Sequence, residues 1–159
     1  MTWSKTLRDW TFGEAEDSAS DVVAADLRRL VAELREEAHQ LEGDAELAPN
    51  QSAELALHDL ARERAAAADH LARVLGPEAN LQPADAAPFV PAGDSQWARL
   101  VQDLERLRTV RARLLEIGAR LDGSQTELST AVEDVFRVAE SHLGRLRALI
   151  ARADPQALN

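Results

Sequence analysis

The sequence contains no cysteine, and this absence removes several classes of site at once. Disulfides, zinc–thiolate centres, iron–sulfur clusters and cysteine nucleophiles are all excluded. The 159 residues also include no tyrosine, and aromatic residues make up only 4% of the chain. Because strands favour aromatic and β-branched residues, a chain built on Leu, Ala and Val predicts packed helices rather than a sheet.

Long apolar runs and positive charge are also scarce, and this limits the expected partners. No segment approaches the roughly 20 apolar residues of a membrane span, and the opening stretch MTWSKTLRDWTFGEAED lacks the apolar core of a signal peptide. We therefore expect a cytoplasmic protein with no membrane partner. The net charge of −10 makes the chain a poor binder of phosphate backbones, so no nucleic-acid partner is expected.

Apolar residues recur at the helical spacing i, i+3, i+4, i+7 in four segments. These segments cover residues 21–42, 51–75, 95–121 and 125–152. Gly43 suits the end of the first segment, and Asp94 suits the N-cap of the third. Ser124 and Glu127 form a capping box before the fourth. Residues 20–155 are therefore predicted to fold as one all-α domain, a four-helix bundle.

The apolar rows of these segments identify the predicted core. The row of the first segment consists of Val23, Leu27, Leu30, Val31, Leu34, Ala38 and Leu41. Trp97 opens the row of the third segment. In the fourth segment the row runs through Val135, Ala139, Leu146 and Ile150, and His142 falls within it.

The links between the helices differ in length, and this difference predicts the topology. The first and second helices, and the third and fourth, are joined by short links that require antiparallel neighbours. Residues 76–94 join the second helix to the third, hold four prolines, and reach roughly 60 Å when extended. That length crosses the whole bundle, so we predict an up-down-down-up arrangement with a crossover anchored by Phe89 and Val90.

Residues 1–19 are predicted to form a segment separate from the bundle. Trp3, Leu7 and Trp10 lie at i, i+4 and i+7, a spacing typical of a short amphipathic helix. Such a helix would dock either on its own bundle or on a partner chain. The sequence leaves both possibilities open.

Six arginines between residues 99 and 120 concentrate positive charge on the third helix. Their positions scatter around the helix instead of forming one stripe. The interpretation that the pattern favours is a solvated helix whose arginines pair with acidic neighbours, and an anion site is the alternative.

The histidines are the main candidates for chemistry. His39 and His70 flank the core rows of their helices; His39 is expected to be exposed, and His70 to lie at the boundary of the core. His58 lies at the edge of the buried face of the second helix, whereas His142 lies in the buried row of the fourth. Both can point inward, as metal sites in bundles require. A catalytic site needs a third ligand, and Glu54, one turn before His58, offers an oxygen.

Two stretches resemble the DinB/YfiT-like superfamily. SAELALHDLARER, residues 52–64, is similar to the second helix of that family and has His58 at the place of the first metal histidine. VFRVAESHLGRLRAL, residues 135–149, is similar to the fourth helix, where a His-x-x-x-His pair supplies the other two ligands. His142 matches the second member of this pair, and Val138 stands at the first.

The resemblance implies a four-helix bundle with a long crossing between helices two and three. The superfamily includes metal-dependent thiol transferases and a mycothiol-dependent maleylpyruvate isomerase. Because Val138 cannot bind a metal, the resemblance implies a lost or weakened divalent-metal site, or else an altered one. In an altered site, Glu54 would join His58 and His142 around zinc, nickel or manganese. Family members often dimerise, so a homodimer is the expected assembly.

Three functional hypotheses remain from the sequence. The first is a DinB-like bundle of unknown specific function with a degenerate metal site, and its alternative is a divergent metal-dependent thiol transferase or hydrolase. The second is a non-catalytic bundle that dimerises or binds a partner. The third is a small-ligand binder with an apolar pocket near the alanines of residues 65–68. The sequence indicates no particular substrate.

Overall fold

The computed structural model describes residues 3–80, 88–154 and 156, and it describes side chains from Asp21 onward, except those of residues 78 and 80. Four α-helices make up almost all of this part: α1 (Trp3–Glu46), α2 (Gln51–Leu75), α3 (Gln96–Arg120) and α4 (Thr126–Ala153). A short 3₁₀ turn, Pro77–Asn80, follows α2. No strand occurs among the described residues, and the prediction of an all-α four-helix bundle is confirmed.

Ion pairs between α1 and α3 establish the direction of the helices. Asp44, near the end of α1, lies beside Arg99 at the start of α3. Asp26, much earlier in α1, pairs with Arg120 at the end of α3. The two helices are therefore antiparallel. Since short links also make α2 antiparallel to α1 and α4 antiparallel to α3, the order is up-down-down-up, as predicted.

Side-chain caps define two of the helix starts. Asn50 accepts a hydrogen bond from the backbone N–H of Ala53 at 2.9 Å and caps α2. Ser95 accepts from the backbone N–H of Ala98 at 3.1 Å and caps α3. The predicted cap at Asp94 is thus one residue too early. Both observed caps satisfy a backbone donor of the first helical turn that has no partner within the helix.

The predicted capping box at the start of α4 is wrong. The helix begins at Thr126, with Gln125 at the N-cap position and no side-chain cap there. Ser124 therefore lies one residue outside the cap, and its own backbone N–H donates to Asp122 at 3.3 Å. Ser124 belongs to the turn after α3, so it is not in position to cap α4.

The first helix is longer at both ends than its apolar row predicts. Its backbone is continuous from Trp3, so no helix start separates residues 1–19 from the bundle at residue 20. The side-chain positions of Trp3, Leu7 and Trp10 lie outside the described part. At the other end the helix continues past Gly43 to Glu46, so the predicted stop at Gly43 is also wrong.

Gly43 lies within α1, where it contacts the crossover and does not end the helix. A Cβ placed on Gly43 would overlap the ring of Phe89, so the ring lies directly against the helix backbone. Phe89 therefore anchors the crossover, as predicted. The side chain of Val90 is 69% exposed, and only its carbonyl is held, by Gln40 at 2.9 Å.

The predicted core rows are largely confirmed. All seven apolar positions of the α1 row are buried: Val23, Leu27, Leu30, Val31, Leu34, Ala38 and Leu41. In α4 the same holds for Val135, Ala139, His142 and Leu146. There are two exceptions. Trp97 stands in the first turn of α3, where it is 40% exposed, and Ile150, near the end of α4, is only half-buried.

Candidate functional site

His142 is fully buried between α4 and α2. Its Nε2 lies 2.9 Å from Oε2 of Glu63 on α2. The same oxygen accepts a hydrogen bond from Arg145 at 2.6 Å. Burial lowers the pKa of His142 more than Glu63 raises it. The ring is therefore neutral at pH 7, and Nε2 carries the hydrogen that the carboxylate accepts.

Glu63 is the acceptor that joins these two groups. Its partial burial opposes ionisation, but the hydrogen bonds from His142 and Arg145 outweigh this effect and lower the pKa of Glu63. Nδ1 of His142, on the far side of the ring, is buried and has no partner among the described residues. The imidazole is thus held from one side by an ion-paired carboxylate.

His58 has a different environment. Its Nε2 lies 3.9 Å from Oε1 of Glu54, one turn earlier in α2, and both side chains are nearly half exposed. Val138, four residues before His142, is half-buried and packs against the apolar core. The two histidines therefore contact different glutamates, one on the same helix and one on a neighbour.

The predicted metal ligands do not come together as a binding site. Within the described part of the chain, no three His, Asp or Glu side chains are placed to hold a metal ion. His58, His142 and Glu54 therefore do not fit a divalent ion, which needs at least three converging protein ligands. Their assignment as ligands therefore rests on helix positions in the sequence and, for the two histidines, on the family resemblance.

The two remaining histidines lie where the sequence places them. His39 is exposed on α1. His70 lies at the boundary of the core, with its side chain 40% exposed and its Nε2 3.3 Å from Oδ2 of Asp134 on α4. Neither belongs to a buried polar cluster.

A buried ion network crosses the centre of the bundle, and sequence reasoning missed it. Arg64 on α2 is 1% exposed. Its Nη1 donates to Oε2 of Glu37 on α1 at 3.3 Å and to Oδ1 of Asp103 on α3 at 3.0 Å. These three residues are the central ion network. Its Arg64 Nε, Arg64 Nη2 and Asp103 Oδ2 atoms are buried and have no described partner.

The carboxyl of Glu37 is strongly affected by this burial. Removal from water raises its pKa to about 7, against the opposing attraction of Arg64. The nearby carboxylates of Asp103 and Glu33 add to the rise. Glu37 therefore exchanges its proton near neutral pH, a property that marks candidate functional groups when they line a cleft.

A second buried pair closes the end of the bundle where the crossover meets α3. Nε of Arg99 lies 3.4 Å from Oδ1 of Asp44, and both side chains are buried. Arg99 also donates through Nη1 to the carbonyl of Gly93 at 3.2 Å, which ties the end of the crossover to α3. Burial raises the pKa of Asp44 to about 6 even though Arg99 opposes the rise.

The sequence does carry a signal for the central ion network. Arg64 continues the apolar row of α2 between Ala61 and Ala68. Glu37 and Asp103 likewise stand within the rows of α1 and α3. A charged residue within an apolar row is a reason to expect a buried ion pair. The opposite charges in the rows of α1, α2 and α3 would have predicted that these three residues pair with one another.

The predicted pairing of the α3 arginines with acidic neighbours is confirmed for most of them. Four of them pair with acidic neighbours: Arg108 with Glu105, Arg111 with Glu140, Arg113 with Glu33 and Arg120 with Asp26. Arg106 is different, because it makes no ion pair with any residue that the structure describes. Exposed pairs of this kind contribute little to stability, so their main effect is to neutralise the surface of α3.

Two adjoining clefts lie between α1 and α3. The larger, which we call the α1–α3 cleft, has a volume of about 310 Å³ and is lined by Glu33, Glu36, Glu37, Arg106, Thr109, Val110 and Arg113. The smaller has a volume of about 220 Å³ and shares Arg113 with it. Neither cleft is lined by the alanines of residues 65–68, where the small-ligand hypothesis requires an apolar pocket and where close helix packing was the favoured prediction.

The comparisons with known proteins gave no match, whether with protein families, characterised proteins or solved structures. The resemblance to the DinB/YfiT-like superfamily therefore stays a prediction from sequence. No helix in the described part of the chain is both long and apolar enough to cross a membrane.

Proposed function

We propose that this protein is a DinB-like bundle that has lost its metal site and acts as a non-catalytic binding protein in the cytoplasm. The observation that supports this proposal is the hydrogen bond from buried His142 to Glu63, which Arg145 also holds. This hydrogen bond stabilises the contact between α2 and α4. A metal could bind the ring of His142 only through the buried Nδ1, and it would have to recruit its other ligands from elsewhere.

Metal analysis of protein purified without an affinity tag tests this proposal. After incubation with zinc, nickel or manganese, we expect about a tenth of an equivalent or less to remain bound, because too few ligands converge. The His58→Ala variant is the matched comparison, since its half-exposed side chain can be removed without opening the core. A full equivalent that this variant loses would contradict the proposal and favour the metal-dependent thiol transferase or hydrolase.

We further propose that the bundle forms a homodimer through the first part of α1. With 44 residues, α1 is about 66 Å long, against about 37 Å for the 25 residues of α2 or α3. Helices of that length cannot cover α1 from end to end. In the sequence, the first part of α1 includes Trp3, Leu7 and Trp10, whose spacing suits a helix-to-helix contact.

Sedimentation equilibrium tests the dimer. The full chain should give twice the mass of 17.4 kDa that one chain has, and removal of residues 1–19 should reduce it to the monomer mass. Leu115→Ser removes a 50% exposed apolar side chain from α3 and should leave the dimer intact. A monomeric full chain, or a dimer that survives the truncation, would show that residues 1–19 are not the contact.

A further inference from the structure

The α1–α3 cleft carries opposite charges that form no ion pair within the described part of the chain. Glu36 on one wall and Arg106 on the other are both exposed, and neither makes an ion pair within the described part of the chain. The neighbouring Arg113 and Glu33 are paired with each other across the cleft. The cleft thus has one free negative wall, one free positive wall and a closed end.

A buried carboxyl forms the floor of the same cleft. Glu37 is 7% exposed, and it lines the cleft although its Oε2 accepts from Arg64 beneath it. Its Oε1 makes no hydrogen bond with a described residue. Next to it, Val110 is buried and supplies an apolar surface, while Thr109 offers a hydroxyl at the rim.

We propose that the α1–α3 cleft binds a small zwitterion of the α-amino acid class. Its ammonium group lies beside Glu36 and Glu37, and its carboxylate lies on Arg106. A guanidinium binds a carboxylate through two parallel hydrogen bonds, and a carboxylate pair suits an ammonium. The volume of about 310 Å³ is at the small end of ligand sites, which fits a compound of this size.

This inference is independent of the proposed dimer and of the lost metal site. The cleft lies between α1 and α3, whereas His142 lies between α4 and α2, and the proposed contact lies before residue 20. It also differs from the anion site considered for the α3 arginines. A simple anion would meet Glu36 and Glu37 on the facing helix, and like charges repel it.

Proton release on binding follows from the position of Glu37. The charged groups that act on it are Glu33 on its own helix, Arg64 on α2, and Asp103 and Arg106 on α3. An ammonium group placed beside its free oxygen favours the ionised form. Binding should therefore tighten as the pH rises through about 7, the pKa of Glu37.

Thermal unfolding in the presence of each of the common L-amino acids is the first test. At about 10 mM and pH 8, at least one should raise the Tm by about 5 °C or more, as a ligand with a Kd of ~0.1 mM does. The analogue that lacks its carboxylate and the analogue that lacks its amine should each bind at least about tenfold more weakly. If no amino acid raises the Tm, or if either analogue binds equally well, the proposal fails.

Calorimetric titration with the best amino acid locates the site. Arg106→Gln and Glu36→Gln should each weaken binding at least about tenfold, because each removes a charge-assisted hydrogen bond. Arg108→Gln, on the same helix but paired with Glu105 outside the cleft, should bind as the wild type does. All three side chains are exposed, so the fold is retained. Equal losses in Arg106→Gln and Arg108→Gln would overturn the assignment.

The pH dependence of binding tests whether the ammonium group lies beside Glu37 at the floor of the cleft. The wild type should bind several-fold more tightly at pH 8 than at pH 6, whereas Glu37→Gln should bind equally at both. A pH dependence that persists in Glu37→Gln would show that the ammonium group does not lie beside Glu37.

Discussion

Replacing Arg64 by leucine should destabilise the protein by about 3–5 kcal/mol, because removal of one partner of a buried ion pair leaves the other charge uncompensated. Arg64 is the cation that holds Glu37 and Asp103 within the bundle. Without it, one carboxylate must take up a proton or carry water into the core. Urea unfolding followed by circular dichroism measures the loss directly.

Arg62→Leu is the matched control for this experiment. It lies on the same helix, its side chain is 75% exposed, and among the described residues it pairs only with Asp59. Its loss should cost about 0.5 kcal/mol or less. A loss of similar size in Arg64→Leu would mean that water already reaches the central ion network.

For a combined replacement of all three residues, the central ion network predicts unchanged or increased stability instead of a loss. Changing Arg64, Glu37 and Asp103 together to leucine removes every charge of the central ion network. Such a swap is neutral or stabilises by about 1–4 kcal/mol in other proteins, because no ion must be desolvated. The triple variant should therefore be more stable than Arg64→Leu alone, and a further loss would show that the pairing itself stabilises the bundle.

The free energy of unfolding should rise when the pH is lowered from 8 to 5, and Glu37 should be the main cause. Its pKa is about 7 in the folded chain against 4.5 for an exposed glutamate. Between these values the folded chain holds a proton that the unfolded chain has lost. Stability from this group is thus complete below pH 4.5 and lost as the pH rises through 7, by on the order of 3 kcal/mol.

Two other groups contribute to the pH profile with opposite signs. Asp44, with a pKa of about 6 in the folded chain, adds stability as the pH falls from 6 to 3.8. His142 has a lowered pKa, so the unfolded chain takes up a proton first and stability is lost as the pH falls below 6.5. A comparison of variants is therefore needed to isolate the contribution of Glu37 to the pH dependence of stability.

Glu37→Gln provides that comparison, because the amide resembles the protonated carboxyl. At pH 8 this variant should be more stable than the wild type by on the order of 3 kcal/mol, and below pH 4.5 the two should be equal. Glu36→Gln, the exposed neighbour, should follow the wild-type profile. Parallel profiles for Glu37→Gln and wild type would show that Glu37 stays ionised beside Arg64.

Periodicity in the sequence was sufficient to predict the helices and their order. A helix buries one face whatever its partner is, so the rows through Leu27 in α1 and Leu146 in α4 identify their buried sides without knowledge of the neighbours. The length of the crossover then left up-down-down-up as the favoured arrangement. The helix ends were predicted less well, because Gly43 and Ser124 have local preferences that a packing ring and a turn overrode.

The buried polar contacts could be predicted only in part. His142 was placed correctly in a buried row, but its partner Glu63 is 79 residues away, and no local pattern connects the two. Helix spacing directed attention to His58 and Glu54 instead, because they lie one turn apart on α2. These residues follow the motif in sequence, yet half-exposed side chains on one helix do not converge with a buried ring on another.

The sequence by itself thus determined the secondary structure, the core rows and the topology, because these depend on short-range spacing and on link length. Only the tertiary structure decided which charges meet. Arg64 and Glu37 are 27 residues apart, and Arg120 and Asp26 are 94 apart. Packing of the helices brings such groups together and removes water from some of them. That loss of water raises the pKa of Glu37. The same packing leaves Arg106 exposed at the α1–α3 cleft.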